Sequence, residues 1–416
     1  MEPHFSKPRL VAIDYIKGLG VIWFILGHMM MYWLDSTWMS IEGGLILIMD
    51  WLAVPMFTTI TVLGTLISIE QKIKMGTQKG MFKRAILKAG YLLILGEIMN
   101  LMIEFTVNEK LGFWHLFGAN MISVIALAQI LTYGLYRLST AQKLALLGFL
   151  TIFYMLILHL VLIWLGYDGS GIIPISSQTL VSLPQILYYL LFNLDAMMAT
   201  WSWIICATLA SVVFSKYATI TGQRMLQKSK LGLPTTAMDR RLRFSTINLA
   251  YRGIILIFFS IISGGFLLTN GLGFSHNLFV SWNNLDAFQP FMVQGIPLFL
   301  FRNTPHDIFF DVGILCIVVA SLIFISSIRK NRLPAQDTIK MLGRYSLTIF
   351  FYHHVVRWID ISIGFCFYLI IAPSILLIII LVMKVWVEKG EAIMTFEWLL
   401  IKYNQRLNRL KLLREP

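Results

Sequence analysis

The sequence predicts an all-α, polytopic transmembrane helical bundle of about ten spans, with the N and C termini both cytoplasmic. Three observations lead there. Of 416 residues, 57% are hydrophobic and only 13% are charged. With a mean hydropathy of +0.75, this leaves too little polar surface for a soluble domain of such length. The apolar residues fall in runs near the roughly 20 residues a helix needs to cross a hydrocarbon core. Between them, segments rich in Lys and Arg alternate with segments nearly devoid of both.

The predicted spans cover 10–34, 43–69, 85–105, 115–137, 144–166, 194–215, 244–268, 308–328, 345–362 and 364–387. Lys7 and Arg9 precede the first. KIKMGTQKGMFKRAILK (72–88), Arg137 with Lys143, and a stretch holding Lys216, Arg224, Lys228, Lys230, Arg240, Arg241 and Arg243 follow on the same side. RKNRLPAQDTIKMLGR (329–344) and the tail KYNQRLNRLKLLREP complete the basic face, assigned to the cytoplasm. The opposite face holds DSTWMSIEG, VNEKLG, GYDGSGIIPISSQ and a longer loop near 270–307. TLVSLPQILYYLLFN (179–193) reads as an outer interfacial helix with Pro184 near its start. Residues 1–416 read as a single integral membrane domain, and 388–416 as its basic, amphipathic cytoplasmic tail. A cleavable signal peptide is not expected, because the first apolar run is long and lacks a small-residue cleavage site.

A net charge of +13 invites a nucleic-acid reading, but the basic residues cluster in short loops between apolar runs, so no nucleic-acid partner is expected. Cys206, Cys316 and Cys366 all lie inside apolar runs, which offers neither a disulfide framework nor a zinc spacing. No metal is expected. The GxxxxGK[ST], HExxH, GxSxG and CxxC patterns are absent, and so are filter-like segments of ion channels.

Polar residues inside the spans carry the chemistry. At 100° per residue, Asp14, Lys17 and His28 fall within about 60° of each other on the first span. Intramembrane charges face a protein interior or a water-filled cavity. A mutual i,i+3 pair of Asp14 and Lys17 near the interface is the plainer alternative. Ser346, His353 and Arg357 share a face of the ninth span, with Arg344 at its inner boundary and His354 pointing about 100° away. Glu97, Asn100 and Glu104 share a face of the third; Asn120 and Ser123 follow His115 on the fourth. Asn248 and Arg252 lie a turn apart on the seventh, and Asp311 lies inside the eighth. Together these imply a polar chamber across the bundle. His28, His115, His159, His276, His306, His353 and His354 concentrate toward the outer side, and only His4 is cytoplasmic. A group of imidazoles suits acid–base work near neutral pH, although any one of them also serves as a helix cap or an interfacial residue.

The order of these residues resembles that of membrane-bound acyltransferases. RLVAIDYIKGLGVIWFILGH is similar to the family's opening Arg, Leu-Asp-x-x-Arg-Gly and His through Arg9, Asp14, Gly18 and His28, with Lys17 where Arg is usual. DWLAVPMFTTITVLG resembles its second span through Asp50, Pro55, Phe57 and Gly64, at looser spacing. FWHLFGANMISVIALAQIL is similar to the segment after the third span. LGRYSLTIFFYHH looks like a Leu-Gly-Arg-x-Ser-Leu-x-Ile…His element through Leu342, Gly343, Arg344, Ser346, Leu347, Ile349 and His353. The pattern is most like that of heparan-alpha-glucosaminide N-acetyltransferase-like proteins and their bacterial relatives. FEWLL (396–400) resembles the ending of one bacterial branch.

The resemblance implies transfer of an acetyl group from cytoplasmic acetyl-CoA, across the plasma membrane, to a carbohydrate or other small amine or hydroxyl acceptor. On that reading Lys17, Arg344, Lys83 and Arg84 hold the donor's phosphates, with Asp14 and Arg252 in the donor site. His28 deprotonates the acceptor or carries the acetyl group, His353 is second base or orienting group, and Asn120 stabilises an oxyanion. Lysine at position 17 keeps the charge but lacks the planar fork of arginine. Membrane lipid is the surrounding partner, and a homodimer is compatible with the sequence. A proton-coupled transporter of a small polar or anionic solute is the alternative, and a non-catalytic family member the third reading. Against transport, no inverted repeat and no paired Gly/Pro-broken spans are seen.

Overall fold

The computed structural model describes residues 10–38, 45, 48–78, 80–106, 120–164, 200–226, 236–264, 304–329, 331–354, 359 and 361–403. His4, His115, His276, Arg357, the expected interfacial helix 179–193 and most of the 270–307 loop lie outside them, as do the side chains of Asp50, Glu104 and His159. The described chain is helical, and its only bridge outside helices among these residues pairs Leu34 with Ile363.

In chain order the helices are α1 (Val11–Trp33), α2 (Val54–Lys74), α3 (Met81–Thr106), α4 (Met121–Tyr136), α5 (Thr140–Trp164) and α6 (Thr200–Leu226). Then follow α7 (Thr236–Gly264), α8 (Pro305–Ile323), α9 (Gln336–Arg344), α10 (Ser346–Tyr352) and α11 (Phe365–Lys389). Seven described helices are long and apolar enough to cross a membrane: α1, α2, α3, α6, α7, α8 with its π-helical extension, and α11. They are expected where they occur, because a backbone in lipid must satisfy its hydrogen bonds internally. Their outward faces are oily. Phe244, Ile247, Phe258 and Ile262 of α7 and Phe367, Ile370 and Ile378 of α11 are exposed, as lipid contact requires.

Where one domain is expected, the chain divides into two compact units, residues 1–35 with 325–416, and residues 36–324. In the larger unit α6 is the hub, packing against α2, α4, α5, α7 and α8. Its ICATLAS stretch explains this: buried Ala207, Ala210 and Ser211 let neighbouring backbones approach. Helices α7 and α8 cross closely at Gly253 and Gly313, where a Cβ on Gly253 would lie 2.6 Å from the Gly313 carbonyl oxygen.

In the smaller unit α1 packs against α9, α10 and α11. Gly343 lies against Asp14 and Gly18, Phe350 against Phe24, and His353 against His28. From Phe24–Phe350 to His28–His353 the numbering rises on both sides, so α10 runs parallel to α1, whereas α9 meets α1 in the opposite sense, Asp14 against Gly343 and Gly18 against Ile339. The ninth predicted span, 345–362, therefore needs correction. Its helix breaks at Tyr345 (φ −104°, ψ 25°), resumes only from Ser346 to Tyr352, and tightens to a 3-10 turn at 353–354. The helical passage beside α1 begins nine residues earlier, at Gln336.

Candidate functional site

One end of the smaller unit is ionic. Asp14 stands in the first turn of α1 and Arg344 in the last turn of α9, the ends at which each charge is favoured by the helix dipole. Arg344 Nε lies 3.4 Å from Asp14 Oδ2, with the carboxylate side chain 8% exposed and the guanidinium 38%. Lys17 is half-buried one turn along α1. Tyr15 donates its hydroxyl to the Pro334 carbonyl at 3.0 Å, tying the start of α1 to the chain that leads into α9.

The other end is a cluster of imidazoles. The ring of His28 is 4.8 Å from that of His353 and 5.6 Å from that of His354, and the two consecutive rings are 4.2 Å apart. His28 Nδ1 donates to the Phe24 carbonyl at 2.8 Å, and His353 Nδ1 donates to the Phe350 carbonyl. A carbonyl oxygen only accepts. In the neutral rings the proton therefore sits on Nδ1, leaving Nε2 of both as the basic nitrogen. His353 is 4% exposed, and its Nε2 has no hydrogen-bond partner among the described residues. His28 is half-buried and so the more accessible base. The expectation that His354 points away from the site assumes α-helical spacing. The 3-10 turn brings its ring to His28 as well.

Aromatic rings frame this cluster and separate it from the ionic end. Phe24 and Phe350 meet edge-on at 4.9 Å, and Phe24 also lies 4.5 Å from His28 and 5.4 Å from His353. Along the face where α1 meets α9 and α10, the expected polar stripe is thus interrupted by glycine backbone and then by this phenylalanine pair.

A residue without an assigned role in the sequence reading completes the unit. Oε1 of Glu397 accepts from the backbone N–H of Leu347 at 2.8 Å and of Thr348 at 3.2 Å, and Oε2 accepts from the Thr348 hydroxyl. The break at Tyr345 leaves these first-turn donors without helical partners, and the carboxylate takes them. In the sequence FEWLL stands out as a resemblance only. A cap supplied from about 50 positions away leaves no local periodicity to detect. The Glu397 carboxyl, in the predicted tail, is raised by burial, against the opposing hydrogen bonds from Thr348 and Leu347.

The remaining candidates belong to the larger unit. Asn120 is the N-cap of α4: its Oδ1 accepts from Ser123 N at 3.0 Å and Ser123 Oγ at 3.2 Å. Its Nδ2 donates to the Gly96 carbonyl at 2.8 Å and to Asn100 Oδ1 at 2.9 Å. All four hydrogen-bonding positions of the amide are engaged, so its geometry is that of a structural cap and offers no donor to an oxyanion. Arg252 donates to the Val213 carbonyl at 2.8 Å, joining α7 to α6. Lys83 is exposed and Arg84 half-buried at the start of α3.

No protein-family model matches the chain, and neither a curated protein nor a solved structure matches it. Among the described residues no group of His, Cys, Asp and Glu is arranged to hold a metal ion.

Proposed function

We propose that the chain is a multi-pass plasma-membrane acyltransferase, moving an acetyl group from cytoplasmic acetyl-CoA to a sugar or other amine or hydroxyl acceptor on the outer side. The observation that carries this reading is the His28–His353 pair, two contacting imidazoles each held with Nε2 as the basic nitrogen. His28 takes the acceptor's proton as its oxygen or nitrogen attacks the thioester carbonyl. The carbon–sulfur bond breaks, and the imidazolium returns the proton to the departing thiolate. His353 shares that proton or steadies His28. Lys17 and Arg344, the latter beside Asp14, meet the donor's phosphates at the other end, about 16 to 21 Å along α1 from His28. Asp14 orients Arg344 for that task. Neither Asn120 nor Arg252 is needed.

The topology that goes with this reading has about ten crossings and cytoplasmic termini. Counting α4, α5 and the broken pair α9–α10 with the seven long helices gives that number. In an alternating chain α1 and α9–α10 are the first and ninth crossings. Both then run from inside to outside, and the parallel packing of α10 on α1 supports this.

Titration of bilayer-reconstituted protein with acetyl-CoA, followed by an acceptor screen for release of free CoA, tests the function. Saturable binding and acceptor-dependent release are expected. An absence of binding at millimolar donor ends the proposal.

A further inference from the structure

We propose that Glu397 is a positioning residue, which holds α10 in place from its N-terminus so that His353 and His354 face His28. Several contacts converge on this point. Helix α10 has only seven residues, and the two histidines follow it directly. So short a helix has little stability of its own, and its geometry depends on what holds its ends. Glu397 satisfies the first-turn donors Leu347 N and Thr348 N. The buried Thr348 hydroxyl donates to Glu397 and in turn accepts from Phe396 N at 2.9 Å. Phe396 adds an apolar clamp, its ring 4.6 Å from Phe351 and 6.0 Å from Tyr352.

The turn that delivers Glu397 is itself informative. Glu391, Ala392 and Met394 take φ of 49°, 54° and 66°, the left-handed region that residues with a Cβ disfavour. Such strain persists where surrounding contacts over-determine it. Here the Trp386 indole donates to Ile393 O at 2.9 Å, and Thr395 Oγ1 accepts from Trp398 N at 3.1 Å. The return of the chain onto α10 is therefore built into the end of α11, and the segment read as a surface tail reaches into the packed unit.

The test uses the full chain in phospholipid nanodiscs with diethyl pyrocarbonate as the probe. Carbethoxylation of His353 and His354 is followed by peptide mass spectrometry and normalised to His306, in the other unit. Glu397→Ala should raise both rates about fivefold, the scale of a lost helix cap acting on a local opening equilibrium. Glu397→Gln, which keeps the Oε1 acceptor, should stay within about twofold of the parent. Rates in Glu397→Ala equal to the parent's overturn the proposal. Should Glu397→Ala fail to insert, Thr348→Val removes the bridging hydroxyl and should give a two- to threefold rise; no rise overturns it equally. A second arm rests on the acyl-transfer reading: Glu397→Ala should lower kcat about tenfold at unchanged donor KM, and Glu397→Gln should restore it. If the parent protein transfers no acetyl group, that reading fails, while the modification rates still decide the role of Glu397.

Discussion

Gly18 and Gly343 lie backbone to backbone: a Cβ on Gly343 would come 2.9 Å from Gly18 N and collide with the Asp14 carbonyl, and one on Gly18 would collide with the Ile339 carbonyl. This contact sets the spacing of α1 and α9 and hence the reach of Arg344 to Asp14. Backbone cannot swing aside as a side chain does. Gly18→Ala and Gly343→Ala should each therefore cost at least the ~1–3 kcal/mol of an overpacked core. Thermal melting in detergent checks this, with Gly64→Ala as control, because nothing lies within 4 Å of a Cβ there.

Removing Arg344 strands a buried carboxylate. Arg344→Ala should destabilise the smaller unit by about 1–3 kcal/mol, below the value for a fully buried pair because the guanidinium is partly solvated. Asp14→Asn should recover most of that loss in the double variant. A double-mutant cycle on melting or denaturant midpoints measures the coupling.

Asn120 makes a sharper distinction between cap and catalyst. Asn120→Asp keeps the acceptor for Ser123 N but cannot donate to the Gly96 carbonyl or to Asn100 Oδ1, and it sets a carboxylate oxygen against these acceptors. It should destabilise by about 2 kcal/mol or more. Folded protein should retain the parent's kcat. A kcat loss of a hundredfold with an unchanged melting temperature would restore the oxyanion role.

Glu397 predicts a pH dependence. Its carboxyl is raised above the ordinary range by burial, with hydrogen bonds from Thr348 and Leu347 opposing. The folded protein then binds this proton more tightly than the unfolded chain does. The contribution is full below the unfolded value of about 4.3 and is lost as pH rises through the folded value. Melting temperature should fall across that window in the parent and vary less in Glu397→Gln. Identical slopes in the two proteins would contradict the assignment.

Much of this architecture is legible in the sequence for one reason. Lipid forces helical backbone wherever apolar runs reach spanning length, so α1, α3, α7, α8 and α11 appear close to the positions that hydropathy gives. Helix ends are less legible, because helices continue past the membrane: α7 starts at Thr236 among Asp239, Arg240 and Arg241. The break at Tyr345 is hidden in YSLTIFFYHH, a mostly apolar stretch with neither glycine nor proline inside it. His28 and His353 are legible as a pair from face and order. His354 is missed because the local period changes from 3.6 to 3 residues per turn. The capping contacts of Asn120 are not legible, because its partners Gly96 and Asn100 lie on another helix.

On the proposed function, His28 and His353 form one acid–base centre serving acetyl transfer. It is tested most directly by transfer of labelled acetyl from acetyl-CoA in reconstituted membranes, comparing the parent with His28→Ala at matched insertion and melting temperature. A loss of at least about a hundredfold in kcat at unchanged donor affinity is expected. Transfer at the parent's rate in His28→Ala would contradict it.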